Sequence, residues 1–313
     1  MYAGIDLGGT KIAAGLVDET GLKDKISLPT DVSSGASKVL SDMAAAYRAL
    51  IARNGIAPEE IESIGIGIPG SVDAARGVSV YANNLPFSDT PVASEISRMT
   101  GKAAFLGNDA DCAALGEVAM GAAKGCKSAF MITLGTGIGG GVIIDEKIFP
   151  GANGVTGEVG HMVIVKDGAE CTCGRKGCFE AYVSLRGLIA LTRGIMAEHP
   201  NSSMWAEGSD SVTARTAFAA ARAGDAAGNL VVDRYVDHLA CGIANVINIF
   251  QPEAVIIGGG IGNEGEFLIE KLRKRTLEEV YTPSMCRTNI VSATLGNDAG
   301  LIGAALLGRG KTV

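Results

Sequence analysis

The stretch Ile5-Asp6-Leu7-Gly8-Gly9-Thr10-Lys11, running on to Gly15-Leu16-Val17-Asp18, has a counterpart about 127 residues later. There Ile132-Thr133-Leu134-Gly135-Thr136-Gly137-Ile138 runs on to Gly141-Val142-Ile143-Ile144-Asp145. Each reads as strand, glycine/threonine turn, strand. So long a period lies outside the range of solenoids, and the repeat implies two similar half-molecules with a cleft between them. In each turn the glycines leave backbone N–H groups facing an anion and the threonine adds a hydroxyl donor; Lys11 adds charge to the first turn. Taken singly, either is a plain glycine hairpin; two in matching strand contexts favour phosphate binding. A third cluster, Gly258-Gly259-Gly260-Ile261-Gly262, follows the apolar run Ala254-Val255-Ile256-Ile257. The dinucleotide fingerprint is incomplete here, because no acidic residue closes a second parallel strand about twenty residues on. The cluster reads instead as closing over an adenosine.

A chain of 313 residues buries roughly 75% of its unfolded surface, enough for one large or two mid-sized domains. No apolar run approaches the ~20 residues of a membrane helix, so no membrane partner is expected. A net charge of -7 argues against a polyanionic partner, and nucleic-acid binding is not expected. The N-terminal residues lack the basic and apolar regions of an export leader, which predicts a cytoplasmic protein with reduced thiols. Val39, Leu40, Met43, Tyr47, Leu50 and Ile51 recur at helical spacing and stop at Asn54-Gly55. Residues 61–68 predict a strand into the Pro69-Gly70 turn, and 228–250 a long helix that Pro252 bars from continuing. Residues 298–307 predict an apolar helix packed back on the N-terminal half.

The middle of the chain holds a different signal. Gly157-Glu158-Val159-Gly160-His161 is followed by Cys171-Thr172-Cys173-Gly174-Arg175-Lys176-Gly177-Cys178-Phe179-Glu180, so three thiols and one imidazole fall within eighteen residues. Thiolate and imidazole suit tetrahedral Zn²⁺, and the Cys-x-Cys-x4-Cys spacing lets a glycine-bearing turn fold three sulfurs around one ion. Four protein ligands close the tetrahedron, so His161, Cys171, Cys173 and Cys178 predict a structural zinc site. The competing readings are a disulfide and buried packing thiols. Glu158 and Glu180 flank the cluster, a pair of acceptors able to grip a polyhydroxylated ligand. Asn108-Asp109 follows the apolar Ala103-Ala104-Phe105-Leu106 and precedes a helical pattern, placing the pair at a strand end and helix start. An Asx residue there is most often a helix cap. A carboxylate at a cleft mouth also accepts the proton of an attacking sugar hydroxyl. Local sequence leaves cap and base both open for Asp109.

These pieces together resemble the ROK sugar kinases, whose fold is similar to that of the actin, hexokinase and chaperone ATPases. The resemblance covers nearly the whole chain, through Asp6-Leu7-Gly8-Gly9-Thr10-Lys11, Gly67-Ile68-Pro69-Gly70, Asn84-Leu85, Asn108-Asp109, Leu134 to Gly141, Gly157 to His161, Cys171 to Glu180, and Gly258-Gly259-Gly260. It implies an α/β, actin-like ATPase (ribonuclease H-like) fold with two duplicated domains flanking a cleft. On the duplication the smaller domain is residues 1–109 with about 298–313, and the larger, with the zinc loop, is 110–297. The resemblance further implies Asp109 as general base, with Asn84, Asn108, Glu158, His161 and Glu180 holding the sugar. ATP would lie on Asp6, Gly8, Gly9, Thr10, Lys11, Gly135, Thr136, Gly137, Gly258, Gly259 and Gly260. Mg²⁺ would arrive with ATP and meet Asp6 through water. His161 would serve both zinc and sugar. Three departures, Ser71, Phe87 and Gly107, stand where relatives commonly have proline, tryptophan and glutamate. They touch loops near the sugar and bear on which hexose is used.

The function implied is an ATP-dependent hexose kinase, with glucose to glucose 6-phosphate as the leading reaction. N-acetylmannosamine or N-acetylglucosamine kinase is the alternative, and a sugar-sensing transcriptional regulator stands behind both. A regulator of this family carries an N-terminal DNA-binding domain, whereas here the strand pattern begins at residue 2. A homodimer is expected from the family.

Overall fold

The computed structural model describes residues 1–310. Contacts divide the chain into two units. The first comprises Met1–Ala129, Gly141–Thr156 and the chain from Thr294 onward; the second comprises Phe130–Gly140 and Gly157–Ala293.

In the first unit a five-stranded sheet runs β3-β2-β1-β4-β8. Its strands are β1 (Tyr2–Leu7), β2 (Lys11–Asp18), β3 (Gly21–Pro29), β4 (Ile64–Ile68) and β8 (Ala104–Asn108). A small sheet of β5 (Ser71–Asp73), β6 (Val78–Tyr81) and β7 (Ser88–Thr90) lies between them in sequence. β1 and β2 form an antiparallel hairpin that closes at Leu7↔Ile12. β1, β4 and β8 are parallel, with Asp6 opposite Gly67 and Ile68 opposite Asn108. Their C-terminal ends therefore lie together, the edge where open α/β sheets bind ligands. The helix Ala36–Arg53 buries Val39, Leu40, Met43, Tyr47, Leu50 and Ile51, the stripe its sequence period requires. It stops before Gly55, whose φ of 63° is left-handed.

The helices Asp109–Met120 and Ala299–Ala305 pack closely through small residues. A methyl on Gly303 would fall on the Cys112 carbonyl oxygen, and one on Gly65 of β4 on the Ala304 carbonyl oxygen. This backbone-to-backbone approach groups residues 110–129 with the first unit, whereas the sequence duplication places the boundary after 109. Gly303→Ala is expected to lower unfolding free energy by about 3 kcal/mol or more, since backbone on both sides must move. Gly194 has open space around its Cα inside the helix Leu185–Glu198. Gly194→Ala should therefore stabilise by about 0.5–1 kcal/mol. Denaturant midpoints of the two variants, moving in opposite directions, check the packing.

A second five-stranded sheet runs β11-β10-β9-β12-β13. Its strands are β9 (Ala129–Leu134), β10 (Ile138–Ile144), β11 (Lys147–Ile148), β12 (Ala254–Gly258) and β13 (Asn289–Ser292). β12 and β13 are parallel, and β10 and β11 are antiparallel. Beyond β9, the start of β10, β12 and β13, the second unit is largely helical. The long helix Ala226–Phe250 packs against Ala214–Arg222 and Glu266–Glu279, and ends at Gln251, a left-handed residue just before Pro252.

Candidate active site

In the first unit the β1–β2 turn is held from outside. Gly8 N donates to Lys11 O at 2.8 Å, Thr30 Oγ1 donates to Gly8 O at 2.8 Å, and Thr30 N donates to Thr10 O at 3.1 Å. Thr10 and Lys11 stay exposed. Gly9, Thr10, Val32, Asn83, Asn84, Leu85 and Pro86 line an open groove of about 800 Å³, so Asn84 shares a wall with the glycine turn. Asp6, at the end of β1, is mostly buried. Desolvation, helped by the nearby Asp109 carboxylate and opposed by Lys11, pushes its pKa up to about 6.

Asn108 ends β8 and caps the next helix: its Oδ1 accepts from Ala110 N at 2.8 Å and Asp111 N at 3.3 Å, and its Nδ2 donates to Gly70 O at 3.1 Å. Capping therefore falls to Asn108. Asp109 is the first helical residue, and its Oδ1 accepts from Ala110 N at 2.9 Å.

A raised carboxyl pKa sets the sign of a pH effect. The folded chain binds this proton more tightly than the unfolded chain. The associated stability is present below about pH 4 and is lost as pH rises through 6, amounting to at most about 3 kcal/mol. Without nucleotide or divalent cation, Asp6→Asn should be more stable than wild type at pH 8, with the gap closing toward pH 4. Chemical denaturation at several pH values measures it, and a pH-independent gap contradicts the assignment.

In the second unit Gly135 N donates to Gly137 O at 3.1 Å, closing the β9–β10 turn. Gly259, with a φ of 82°, lies directly against Leu134 at the end of β9, so the third glycine cluster sits beside this turn. Thr136, Leu185, Arg186, Ile189, Ala190 and Arg193 line an open groove of about 400 Å³ next to it. Arg186 and Arg193 escaped the sequence reading. The signal was the spacing Arg186, Ile189, Ala190, Arg193, one helical face starting at the turn.

The metal-ligand candidates come together here. One donor atom from each of His161, Cys171, Cys173 and Cys178 lies within 4.8 Å of the others. Cys173 and Cys178 sulfurs are 3.7 Å apart, and Cys171 Sγ is 3.8 Å from His161 Nδ1. A tetrahedral ion with ~2.3 Å Zn–S bonds separates its sulfurs by about 3.8 Å, whereas a disulfide needs ~2.05 Å. The donor set and spacing fit zinc, and all seven cysteines are free thiols. Glu180 lies between this loop and the turn: its Oε2 accepts from Ile138 N at 3.0 Å and its Oε1 from Thr172 Oγ1 at 3.0 Å. Glu158 is exposed and precedes the short turn Val159–His161.

Two α/β sheets that each open with strand, glycine turn and strand make this the actin-like ATPase fold. A profile of the ROK family matches residues 2–311, and the chain belongs to that family. It is 37% identical to a glucokinase of Thermotoga maritima over 96% of this chain and 95% of that one. The structure of a ROK family glucokinase from Streptomyces griseus, in complex with glucose and AMPPNP, superposes with a TM-score of 0.79 at 32% identity, covering 98% of both chains. An N-acetyl-D-glucosamine kinase of Vibrio cholerae is 30% identical over 98% of this chain and 99% of its own. Among the described residues no helix is long and apolar enough to cross a membrane.

Proposed function

We propose that this chain transfers the γ-phosphoryl group of ATP to the primary hydroxyl of a hexose, with glucose the substrate and glucose 6-phosphate the product. The observation that carries this reading is the full-length likeness to glucokinases, at 37% identity for the Thermotoga maritima enzyme. Asp109, relieved of the capping role, accepts the hydroxyl proton as the sugar oxygen bonds to phosphorus and the bond to the β-phosphate oxygen breaks, releasing ADP. Asn108 already spends its carbonyl on two amides and one N–H on Gly70. It offers the sugar its other N–H, as a donor only. Asn84, Glu158, His161 and Glu180 complete the sugar contacts. Backbone N–H groups of Gly9, Thr10, Thr136 and Gly137, with Lys11, take the phosphates. Gly8 and Gly135, whose own N–H groups close the two turns, let the backbone approach the nucleotide, and Gly258, Gly259 and Gly260 lie against the nucleoside.

Asp6 is the residue that would meet a Mg²⁺ ion bound with ATP, through water, and the ion would supply charge neutralisation there. A deprotonated Asp6 carboxylate, reluctant to be charged in its buried place, is suited to a cation partner. Zn²⁺ on His161, Cys171, Cys173 and Cys178 would be structural. His161 Nδ1 faces the Cys171 sulfur, which leaves Nε2 for a sugar hydroxyl.

Residues 1–109 with 298–313, and 110–297, stand in this proposal as the two halves of the duplication. A cytoplasmic setting in sugar breakdown suits seven cysteines of which none is in a disulfide. A homodimer is also part of the proposal. The exposed side chains of Ile249, Leu277, Tyr281 and Met285 lie on the final turns of the two neighbouring helices and just beyond, and such apolar surface suits association.

The likeness to the Vibrio cholerae enzyme favours a second reading, N-acetylhexosamine phosphorylation by the same machinery. ADP release from ATP and Mg²⁺, measured with glucose, N-acetylglucosamine, N-acetylmannosamine, mannose, fructose and allose, separates the two. The highest kcat/KM is expected on glucose. An acetamido sugar in first place changes the substrate and keeps the mechanism; no turnover on any sugar sinks the kinase reading.

A further inference from the structure

The second phosphate turn is gripped at both ends by one short segment. Its entry is fixed where Leu185 N donates to Gly135 O at 2.8 Å, and its exit where Ile138 N donates to Glu180 Oε2 at 3.0 Å. Between them a methyl on Gly137 would stand 2.8 Å from the same Glu180 oxygen, so the carboxylate lies flat against the turn. The gripping segment, 180–185, begins two residues after Cys178. The other Glu180 oxygen is oriented from within the cysteine loop, by the Thr172 hydroxyl at 3.0 Å. Cys171 Sγ lies farther off, at 3.8 Å. A carboxylate bonded at both oxygens loses its rotational freedom about the last side-chain bond. Removing one donor restores that freedom and loosens what the other oxygen holds.

We infer that Thr172 and Glu180 form a strut that carries the order of the cysteine loop to the phosphate turn, making Thr172 a positioning residue for the nucleotide. Thr172 is exposed and distinct from every group assigned to the sugar or the metal. Its hydroxyl acts through Glu180 on the Ile138 amide, and so on the neighbouring N–H groups of Thr136 and Gly137. The inference rests on the reading of that turn as an ATP site. It adds that the loop built for a metal governs nucleotide affinity as well as sugar contacts.

Three proteins test it: wild type, Thr172→Val, which keeps the shape and removes the hydroxyl, and Thr172→Ser, which restores it. Calorimetric titration with ADP and Mg²⁺ in the absence of sugar gives nucleotide affinity directly. Titration with glucose in the absence of nucleotide gives sugar affinity, and metal content is measured on each sample. Thr172→Val should weaken ADP binding about fivefold, the scale of part of one charge-assisted hydrogen bond. Glucose affinity, held also by Asn84, Asn108, Glu158 and His161, should fall less than ADP affinity; metal content should stay within about twofold, and Thr172→Ser should recover ADP binding. The KM for ATP should rise in parallel, by a larger factor than the KM for glucose. Unchanged ADP binding in Thr172→Val overturns the strut, as does a loss confined to glucose or shared equally by both ligands. Wild type that fails to bind ADP at all overturns the ATP reading itself, a result distinguishable from failure of the strut alone.

Discussion

Asp109→Asn is expected to lower kcat on glucose by about 10³-fold, within the range a positioned general base contributes. The amide keeps the shape of the carboxylate and cannot accept the proton, so KM for both substrates should stay within a few-fold. Stability should change little, because the helix-capping bonds belong to Asn108. Asn108→Ala, by contrast, should cost about 1 kcal/mol of unfolding free energy, the usual worth of an N-cap. Asp109→Asn also removes a charge that raises the Asp6 pKa. The pH-dependent stability loss assigned to Asp6 should therefore shrink in the same variant. Steady-state ADP release at saturating substrates is the measurement, and a kcat within tenfold of wild type removes Asp109 from the role of base.

The second large effect concerns the cysteine loop. Cys178 is fully buried and Cys171 nearly so. Cys178→Ala should drop zinc from about one per chain to well below it, and should lower stability by about 3 kcal/mol or more, because metal affinity for a folded loop is folding free energy. Activity should fall to background, since Glu180, proposed to hold the sugar and bonded to the Ile138 amide of the β9–β10 turn, follows Cys178 by two residues. Far-UV circular dichroism should keep most of its signal, because the two sheets and the long helices have apolar cores of their own. Cys286→Ser, outside the cluster, should keep its metal and its activity. Metal analysis settles the point independently of kinetics: active, carefully purified protein with well under one zinc per chain would falsify the zinc assignment.

Much of this architecture was legible because the relevant signals are local. The helical stripe Val39 to Ile51 and the stop before Gly55 are spacing effects within one helix, and the structure has them at Ala36–Arg53. The end of the long helix at Phe250 follows from Pro252. The four clustered donors lie within eighteen residues of sequence, so their meeting needed only a tight loop. Neighbours made through space were not legible. Whether Asn108 or Asp109 capped the helix depended on a one-residue difference in where β8 gives way to helix, a matter set by pairing with β4. Arg186 and Arg193 gained interest only when the helix Leu185–Glu198 was placed against the second turn.

The amino-acid sequence by itself determined the two strand-turn-strand units, the cysteine and histidine cluster and the principal helices. Each of these is dictated by backbone freedom, ligand chemistry or hydrophobic period over a short span. Only the tertiary structure decided that Glu180 binds the Ile138 amide, that Asp6 is buried near Asp109, and that glycines at 65 and 303 let backbones touch. Those facts depend on which distant segments share a small volume, where desolvation and steric exclusion act between residues that no local pattern connects.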